Sequence, residues 1–108
     1  MSNYFTYILT NSTKKVLYVG MTNDLEQRLV EHFLNRGKPE TFAGRYYCYY
    51  LLYYERFTLP GHALEREKEI KDWNRKRKEG LINSLNPEWK FLNSEIMLWP
   101  PDPETTAR

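Results

Sequence analysis

The abrupt change from an extended to a helical pattern at Gly20 constrains the fold of this chain more than any other feature. In the stretch VLYVGMTNDLEQRLVEH, residues 16–32, a short apolar run ends at this glycine. Apolar residues then recur at intervals of four, at Leu25, Leu29 and Phe33. This spacing predicts a helix to about residue 35, with Thr22 or Asn23 as its N-cap.

The segments around this helix complete a small α+β domain. Residues 4–10 (YFTYILT) and 16–20 (VLYVG) flank a polar turn, which predicts a β-hairpin. After a loop over 37–45, the run YYCYYLLYYERF at 46–57 predicts a third strand, and its aromatic residues on both faces favour a central position in the sheet. A helix is expected over about 61–78, followed by a short helical turn. We therefore predict a small three-stranded, mostly antiparallel sheet flanked by helices.

The length and composition fit one small domain in a reducing compartment. The chain has 108 residues, and Cys48 is its only cysteine, so neither a disulfide framework nor a cysteine metal site is possible. The N-terminus does not have the pattern of a signal peptide, and no apolar run has the length of a membrane span. We expect a cytoplasmic protein with no membrane partner, a domain over residues 1–94, and a flexible, proline-rich tail over 95–108.

Arg28 and His32 are the first candidates for a functional role. They lie one turn apart on the predicted helix, at the border of its apolar stripe, where both side chains can reach over the sheet. The planar guanidinium group of Arg28 matches phosphate oxygens and stays charged at any working pH. The structural alternative is an arginine whose stem packs at the helix border and whose charge stays in water.

Three further side chains, Glu67, Tyr7 and Tyr18, could each have either a functional or a purely structural role. Glu67 falls on the apolar side of the second helix, between Ala63 and Ile70, where a carboxylate needs a partner. It could bind a hard cation such as Mg²⁺, or it could pair with Lys71. Tyr7 and Tyr18 are either core residues or, if a neighbour lowers the pKa of the phenol, groups that accept a proton.

Basic residues are clustered although the formal net charge is only +2. The run Arg75–Lys78 could attract phosphate, or it could be a solvated helix end whose cations favour the C-terminal dipole. Lys14 and Lys15 in the hairpin turn and Arg45 in the following loop are further candidates. The predicted nucleic-acid contacts are Lys14, Lys15, Arg45, Arg75, Lys76, Arg77 and Lys78.

The order of these motifs resembles the GIY-YIG nuclease superfamily, and most closely its small stand-alone bacterial members. Tyr7 lies in a Thr-Tyr-Ile triplet, and Tyr18 begins Tyr-Val-Gly; the remaining matches are Arg28, His32, the segment ALEREKEIK at 63–71 and NPEW at 86–89. The resemblance covers roughly residues 4–92. One departure is that the glycine of the first motif is replaced, because the triplet reads Phe5-Thr6-Tyr7.

The resemblance implies a role for each matching residue. Arg28 takes the place of the essential arginine, His32 that of a residue that is His or Tyr in many members, and Glu67 that of the metal-binding glutamate. Asn86 takes the place of a late asparagine near the scissile phosphate. The implied catalytic set is Tyr7, Tyr18, Arg28, His32, Glu67 and Asn86.

The activity implied is metal-dependent hydrolysis of phosphodiester bonds in DNA, with Mg²⁺ or Mn²⁺ held by Glu67. DNA repair or recombination is the expected setting, and RNA remains an alternative substrate. A one-domain nuclease has little surface for reading a sequence, so specificity for DNA structure, a protein partner or a homodimer is expected to supply selectivity. The alternatives are a catalytically silent nucleic-acid-binding module with the same fold and a plain α+β domain whose polar residues are structural.

Overall fold

A three-stranded antiparallel sheet lies at the centre of the computed structural model, which describes residues 2–101. Strands β1 (Tyr4–Thr10), β2 (Leu17–Thr22) and β3 (Tyr50–Phe57) are arranged in the order β2-β1-β3. β1 and β2 form the predicted hairpin, in which Tyr7 is paired with Gly20. The predicted α+β class, with a small sheet flanked by helices, is confirmed.

Helices cover both faces of the sheet. Helices α1 (Leu25–Leu34), α2 (Phe42–Arg45) and α5 (Asn93–Ile96) pack on one face, and α3 (Pro60–Asp72) and α4 (Arg75–Leu85) pack on the other. Successive side chains of β1 point to opposite faces, so Tyr7 and Leu9 join the first core and Ile8 joins the second. The site described below is built from residues of β1, β2, α1 and α3.

The two predicted N-caps of α1, Thr22 and Asn23, lie two residues and one residue before the observed cap. Asp24 is the cap, and its side chain accepts a hydrogen bond from the backbone N–H of Gln27 at 3.0 Å. The hydroxyl of Thr22 instead accepts the N–H of Asp24 at 3.1 Å. The helix begins later because β2 continues through Thr22, two residues past the predicted strand end.

The predicted single helix over 61–78 is two helices. Trp73 is extended, with φ −72° and ψ 150°, and Asn74 caps α4 by accepting the N–H of Arg77 at 2.9 Å. The basic run therefore lies at the beginning of a helix and not at its end. Its cations oppose the helix dipole there, so the structural explanation based on the dipole is wrong.

β3 is an edge strand, although a central position was predicted. Its residues are apolar on both sides because helices cover both faces. The outer edge is protected by Asn86, which donates to the carbonyl of Leu52 at 3.0 Å, and by Asn93, whose side chain accepts the N–H of Leu51 at 2.8 Å. These amides occupy backbone groups that an unpaired edge would offer to another chain.

The domain extends beyond the predicted boundary at residue 94. α5 crosses that boundary, and Ile96, Met97 and Trp99 pack against the first core. The ring of Trp99 contacts that of Phe33, with centroids 5.3 Å apart. The flexible tail predicted from residue 95 is therefore wrong up to residue 101, and the rest of it lies outside the described residues. No helix within residues 2–101 is long and apolar enough to cross a membrane.

Candidate active site

The phenol of Tyr7 lies directly over Gly20. A Cβ atom added to Gly20 would lie 2.5 Å from both Cζ and Oη of Tyr7, and 3.0 Å from Cε2 of Tyr18. Only a residue without a side chain leaves room for these two rings on adjacent strands. Gly20 therefore matters for a steric reason, the close approach of Tyr7, and not because the strand ends there, since β2 continues through Thr22.

Tyr7 links Arg28 and His32 in one hydrogen-bonded chain. The Nε–H of Arg28 donates to the phenol oxygen at 3.3 Å, and that oxygen lies 2.9 Å from Nε2 of His32. Burial raises the pKa of Tyr7 well above its usual range, so the phenol keeps its proton. Because the phenol oxygen already accepts from Arg28, the proton points to His32. Burial lowers the pKa of His32 to about 4, so at neutral pH its ring is uncharged and can accept.

Arg28 is fixed at two positions of its side chain. Besides Tyr7, it contacts Glu31, to which Nη1 donates at 2.9 Å. Burial opposes the charge, but the hydrogen bonds to Glu31 and Tyr7 prevail and raise the pKa of Arg28. The side chain is 36% exposed. It is thus oriented by protein groups at one end and accessible to a ligand at the surface.

Tyr18 completes the cluster on the adjacent strand. Its half-buried ring meets the ring of His32 edge to face at 5.4 Å, and lies 6.4 Å from that of Tyr7. On its other side it stacks on Phe42 of α2, with centroids 6.3 Å apart. Four predicted site residues, Tyr7, Tyr18, Arg28 and His32, therefore form one connected cluster, in which Arg28 joins the others through the phenol of Tyr7.

Glu67 approaches the same cluster from α3. Its side chain is only 16% exposed, and its charge contributes to raising the pKa of Tyr7. One carboxylate oxygen lies 3.3 Å from Nζ of Lys71, so the ion pair considered as an alternative is present. Glu65 and Glu69, on the same helix, are exposed.

A single carboxylate of this kind fits a magnesium site. Mg²⁺ commonly takes one or two protein carboxylates and completes its coordination with water and phosphate oxygens. Lys71 is half exposed and can move away from Glu67. Residues 2–101 contain no group of three or more His, Cys, Asp or Glu side chains able to hold a metal. Glu67 remains the candidate anchor that the family resemblance implies.

Asn86 has a different environment from the other predicted catalytic residues. Its side-chain NH₂ group donates to the carbonyls of Leu52 at 3.0 Å and Lys90 at 2.8 Å, and its oxygen accepts the N–H of Lys90 at 3.0 Å. Both N–H donors are thus engaged with the backbone. These contacts give Asn86 a structural role at the edge of β3, and they leave no N–H free for a phosphate.

The predicted phosphate-binding residues lie in two separate places, one at the hairpin turn and the start of α4 and the other on α2. Arg75 is used within the protein: it donates to the carbonyls of Lys14, at 3.0 Å, and Lys15, and to Glu79 at 2.9 Å. These bonds join the hairpin turn to the first turn of α4, so Lys15 and Lys76 are exposed on one basic surface. Arg45 lies elsewhere, on α2, where it donates to the carbonyl of Pro39 at 3.1 Å.

The charged groups of two of these basic residues lie over aromatic rings. Nζ of Lys14 lies 5.2 Å from the centroid of Phe91, and the guanidinium of Arg77 lies 4.1 Å from that of Trp73. Lys78 is half-buried. Exposed cations near aromatic rings are typical of surfaces that bind nucleic acid.

Sequence reasoning missed two members of the site. Glu31, which fixes Arg28, has the i, i+3 spacing that favours such a pair, so the signal was present. Phe42, which stacks on Tyr18, lies in a segment predicted to be a loop. No local pattern in the sequence places that loop beside β2.

Replacement of Gly20 by alanine should destabilise the fold and disorder the site. The added methyl group would overlap Tyr7, which is fully buried and cannot move aside. We expect a loss of about 2–3 kcal/mol in the free energy of unfolding, measured by urea denaturation. Gly80→Ala is the matched control, because nothing lies within 4 Å of the new methyl group inside α4, and it should stabilise slightly. Equal effects of the two substitutions would contradict the steric role of Gly20.

The low pKa of His32 should make stability depend on pH. Between pH 6.5 and about 4 the unfolded chain binds a proton at His32 that the folded chain excludes. The free energy of unfolding should therefore fall as the pH falls, by about 2 kcal/mol from this residue between pH 7 and pH 5. Urea denaturation at both pH values, for the wild type and His32→Gln, measures this. The same pH dependence in both proteins would refute it.

Comparison with known proteins connects this geometry to a family. The family model for the GIY-YIG catalytic domain matches residues 3–80. A UPF0213 protein of Bacillus pumilus (strain SAFR-032) is 35% identical over 86 residues, which are 80% of this chain and 85% of that protein. A UPF0213 protein of Natronomonas pharaonis is 35% identical over 81 residues, 75% of this chain and 92% of that protein.

A solved structure has the same fold. The solution NMR structure of a UPF0213 protein from Bacillus halodurans matches with a TM-score of 0.52 and 25% sequence identity. The match covers 88% of this chain and 98% of that chain. The resemblance to the small GIY-YIG proteins is confirmed by these similarities.

Proposed function

This chain belongs to the GIY-YIG family, a family of nuclease-type domains, and on that basis we propose that it is a metal-dependent endonuclease that hydrolyses phosphodiester bonds in DNA, with a role in repair or recombination. The observation that supports this most strongly is the convergence of Tyr7, Tyr18, Arg28 and His32 at Gly20, with Glu67 close enough to affect the phenol of Tyr7. Residues from two helices and two strands thus form one polar cluster beside an exposed surface.

The chemistry of hydrolysis assigns a task to each residue. Tyr18, the more accessible of the two tyrosines, accepts the proton of the attacking water or relays it. Arg28 donates to the phosphoryl oxygens as negative charge builds on them. Because Tyr7 donates to His32 and accepts from Arg28, it holds the guanidinium in place and does not itself act as a base.

Glu67 is the residue that would hold the metal ion. When bound, a divalent cation supplies Lewis-acid stabilisation of a phosphate oxygen. Glu67 is on α3 and Arg28 is on α1, and these two helices cover opposite faces of the sheet. This placement lets Arg28 and Glu67 approach a phosphate from two directions.

A cleavage assay on a panel of labelled DNA and RNA structures tests the proposal. The panel includes single-stranded, duplex, nicked and branched forms, each with Mg²⁺, Mn²⁺ or a chelator. We expect internal cuts in at least one DNA form with either metal and none with the chelator. Binding without cleavage of any form in either metal would instead favour the silent nucleic-acid-binding module.

A further inference from the structure

Three aromatic rings form a continuous surface that begins inside the candidate site and ends in solvent. We call Tyr18, Phe42 and Tyr46 the aromatic platform. Phe42 stacks on Tyr18 with an interplanar angle of 23°, and it lies 4.8 Å from the ring of Tyr46. Phe42 is 52% exposed and Tyr46 is 42% exposed. Two large aromatic side chains thus face water directly beside the proposed proton acceptor.

The platform is held by a rigid segment. A Cβ atom on Gly44 would lie 2.5 Å from the carbonyl oxygen of Lys38 and 2.7 Å from that of Asn35, so α2 packs tightly on the chain leaving α1. The hydroxyl of Thr41 caps α2 by accepting the N–H of Gly44 at 3.0 Å, and the N–H of Gly37 donates to the carbonyl of Gly44 at 2.8 Å. The exposed rings therefore have a defined position relative to Tyr18.

Packing of the hydrophobic core does not explain why these rings are exposed. α2 buries Ala43 in the first core, whereas Phe42, its immediate neighbour, points outward. An outward phenylalanine gains little from the hydrophobic effect, so its position suits a ligand with a flat apolar face. Arg45 and Lys38 are exposed on the same segment and provide positive charge for a phosphate backbone.

We propose that the aromatic platform stacks unpaired nucleobases next to the phosphate that is cut, so that the protein favours DNA with unpaired nucleotides at the cleavage position. The proposal rests on the function proposed above, since it names the substrate class of the same site. In a fully paired duplex the base faces are covered by their neighbours, and only unpaired bases can stack on protein rings. Each such stack strengthens binding without reading the sequence.

Equilibrium binding in chelator tests the platform independently of catalysis. The two probes are a fluorescein-labelled DNA duplex with an unpaired arm and a fully paired duplex of the same length. Phe42→Ala should weaken binding to the armed duplex by about tenfold and binding to the paired duplex by less than about twofold. Phe42→Leu should show the same selective loss of affinity, because leucine still covers Tyr18 with an apolar side chain but lacks a flat ring. If Phe42→Ala has a lowered melting temperature, Phe42→Leu provides the test.

Tyr47→Ala is the matched control. Tyr47 is 53% exposed and adjacent to the platform in sequence, but its phenol lies against Gly37. We expect wild-type affinity for both probes. Wild-type affinity of Phe42→Leu for the armed duplex, or equal losses on both probes, would overturn the platform. If the Phe42 variants lose affinity only for the armed duplex but the wild type cuts no DNA, the platform is supported and the nuclease function is refuted. If the wild type cuts DNA but the Phe42 variants show no such selective loss, the nuclease function is supported and the platform is refuted.

Discussion

Replacing Glu67 with alanine should abolish metal-dependent cleavage while DNA binding survives. Glu67 is the half-buried carboxylate that approaches the Tyr7 phenol, and an ion that takes one protein carboxylate would lose its anchor. We expect a loss of about 10³-fold or more in the single-turnover rate at saturating DNA. A second readout does not need activity: Mg²⁺ should raise the melting temperature of the wild type and not that of Glu67→Ala.

Substitutions at two neighbouring residues on α3 distinguish a metal-binding role of Glu67 from an ion-pairing role. Lys71→Ala removes the partner seen at 3.3 Å from Glu67, and Glu65→Ala removes an exposed carboxylate two residues away. Both variants should cleave at close to the wild-type rate. If Lys71→Ala lost as much activity as Glu67→Ala, the ion pair would be the function of Glu67. If Glu65→Ala and Glu69→Ala lost as much activity as Glu67→Ala, Glu67 would not be the specific ligand of the metal.

Replacing Arg28 with lysine should lower the rate far more than the affinity. Lysine keeps the positive charge but loses the planar fork, and it has no Nε–H at the position that contacts Tyr7. Loss of one group that stabilises transition-state charge typically costs about 10²–10³ in rate. Affinity for DNA should change much less, because the ground state uses the fork only in part.

The measurement for Arg28 pairs single-turnover cleavage with equilibrium binding in chelator, for the wild type, Arg28→Lys and Arg28→Ala, with thermal melts to check folding. Glu31→Gln is a useful companion, because it weakens the hold on Nη1 and leaves the guanidinium itself intact. We expect it to lose less activity than Arg28→Lys. A near wild-type rate for Arg28→Lys would show that Arg28 is not the catalytic cation.

The parts of the fold that sequence reasoning found are those with strong local patterns. The β-hairpin follows from two segments rich in β-branched and aromatic residues around a polar turn, and α1 follows from the spacing of Leu25, Leu29 and Phe33. Tyr7, Tyr18, Arg28 and His32 meet because pairing Tyr7 with Gly20 fixes two strands relative to the helix that follows. These contacts depend on short sequence separations or on a single hairpin register.

The parts that were missed depend on long-range contacts. The break between α3 and α4 contains neither glycine nor proline, and it is specified by the cap at Asn74 and by packing of the two helices on the sheet. β3 can occupy the edge of the sheet because Asn86 and Asn93 bind its backbone, from 34 and 42 residues away. A polar residue distant in sequence gives no local sign of such a bond.

The central claim is that Arg28 on α1 and Glu67 on α3 act on the same phosphate, and a double-mutant cycle tests it most directly. The single-turnover rates of the wild type, Arg28→Lys, Glu67→Asp and the double variant are compared at saturating DNA in Mg²⁺. Residues that act as a unit are strongly non-additive, so we predict that the double variant loses no more than about tenfold beyond the slower single variant. A loss equal to the product of the two single losses, or rates unchanged by either substitution, would contradict a shared site.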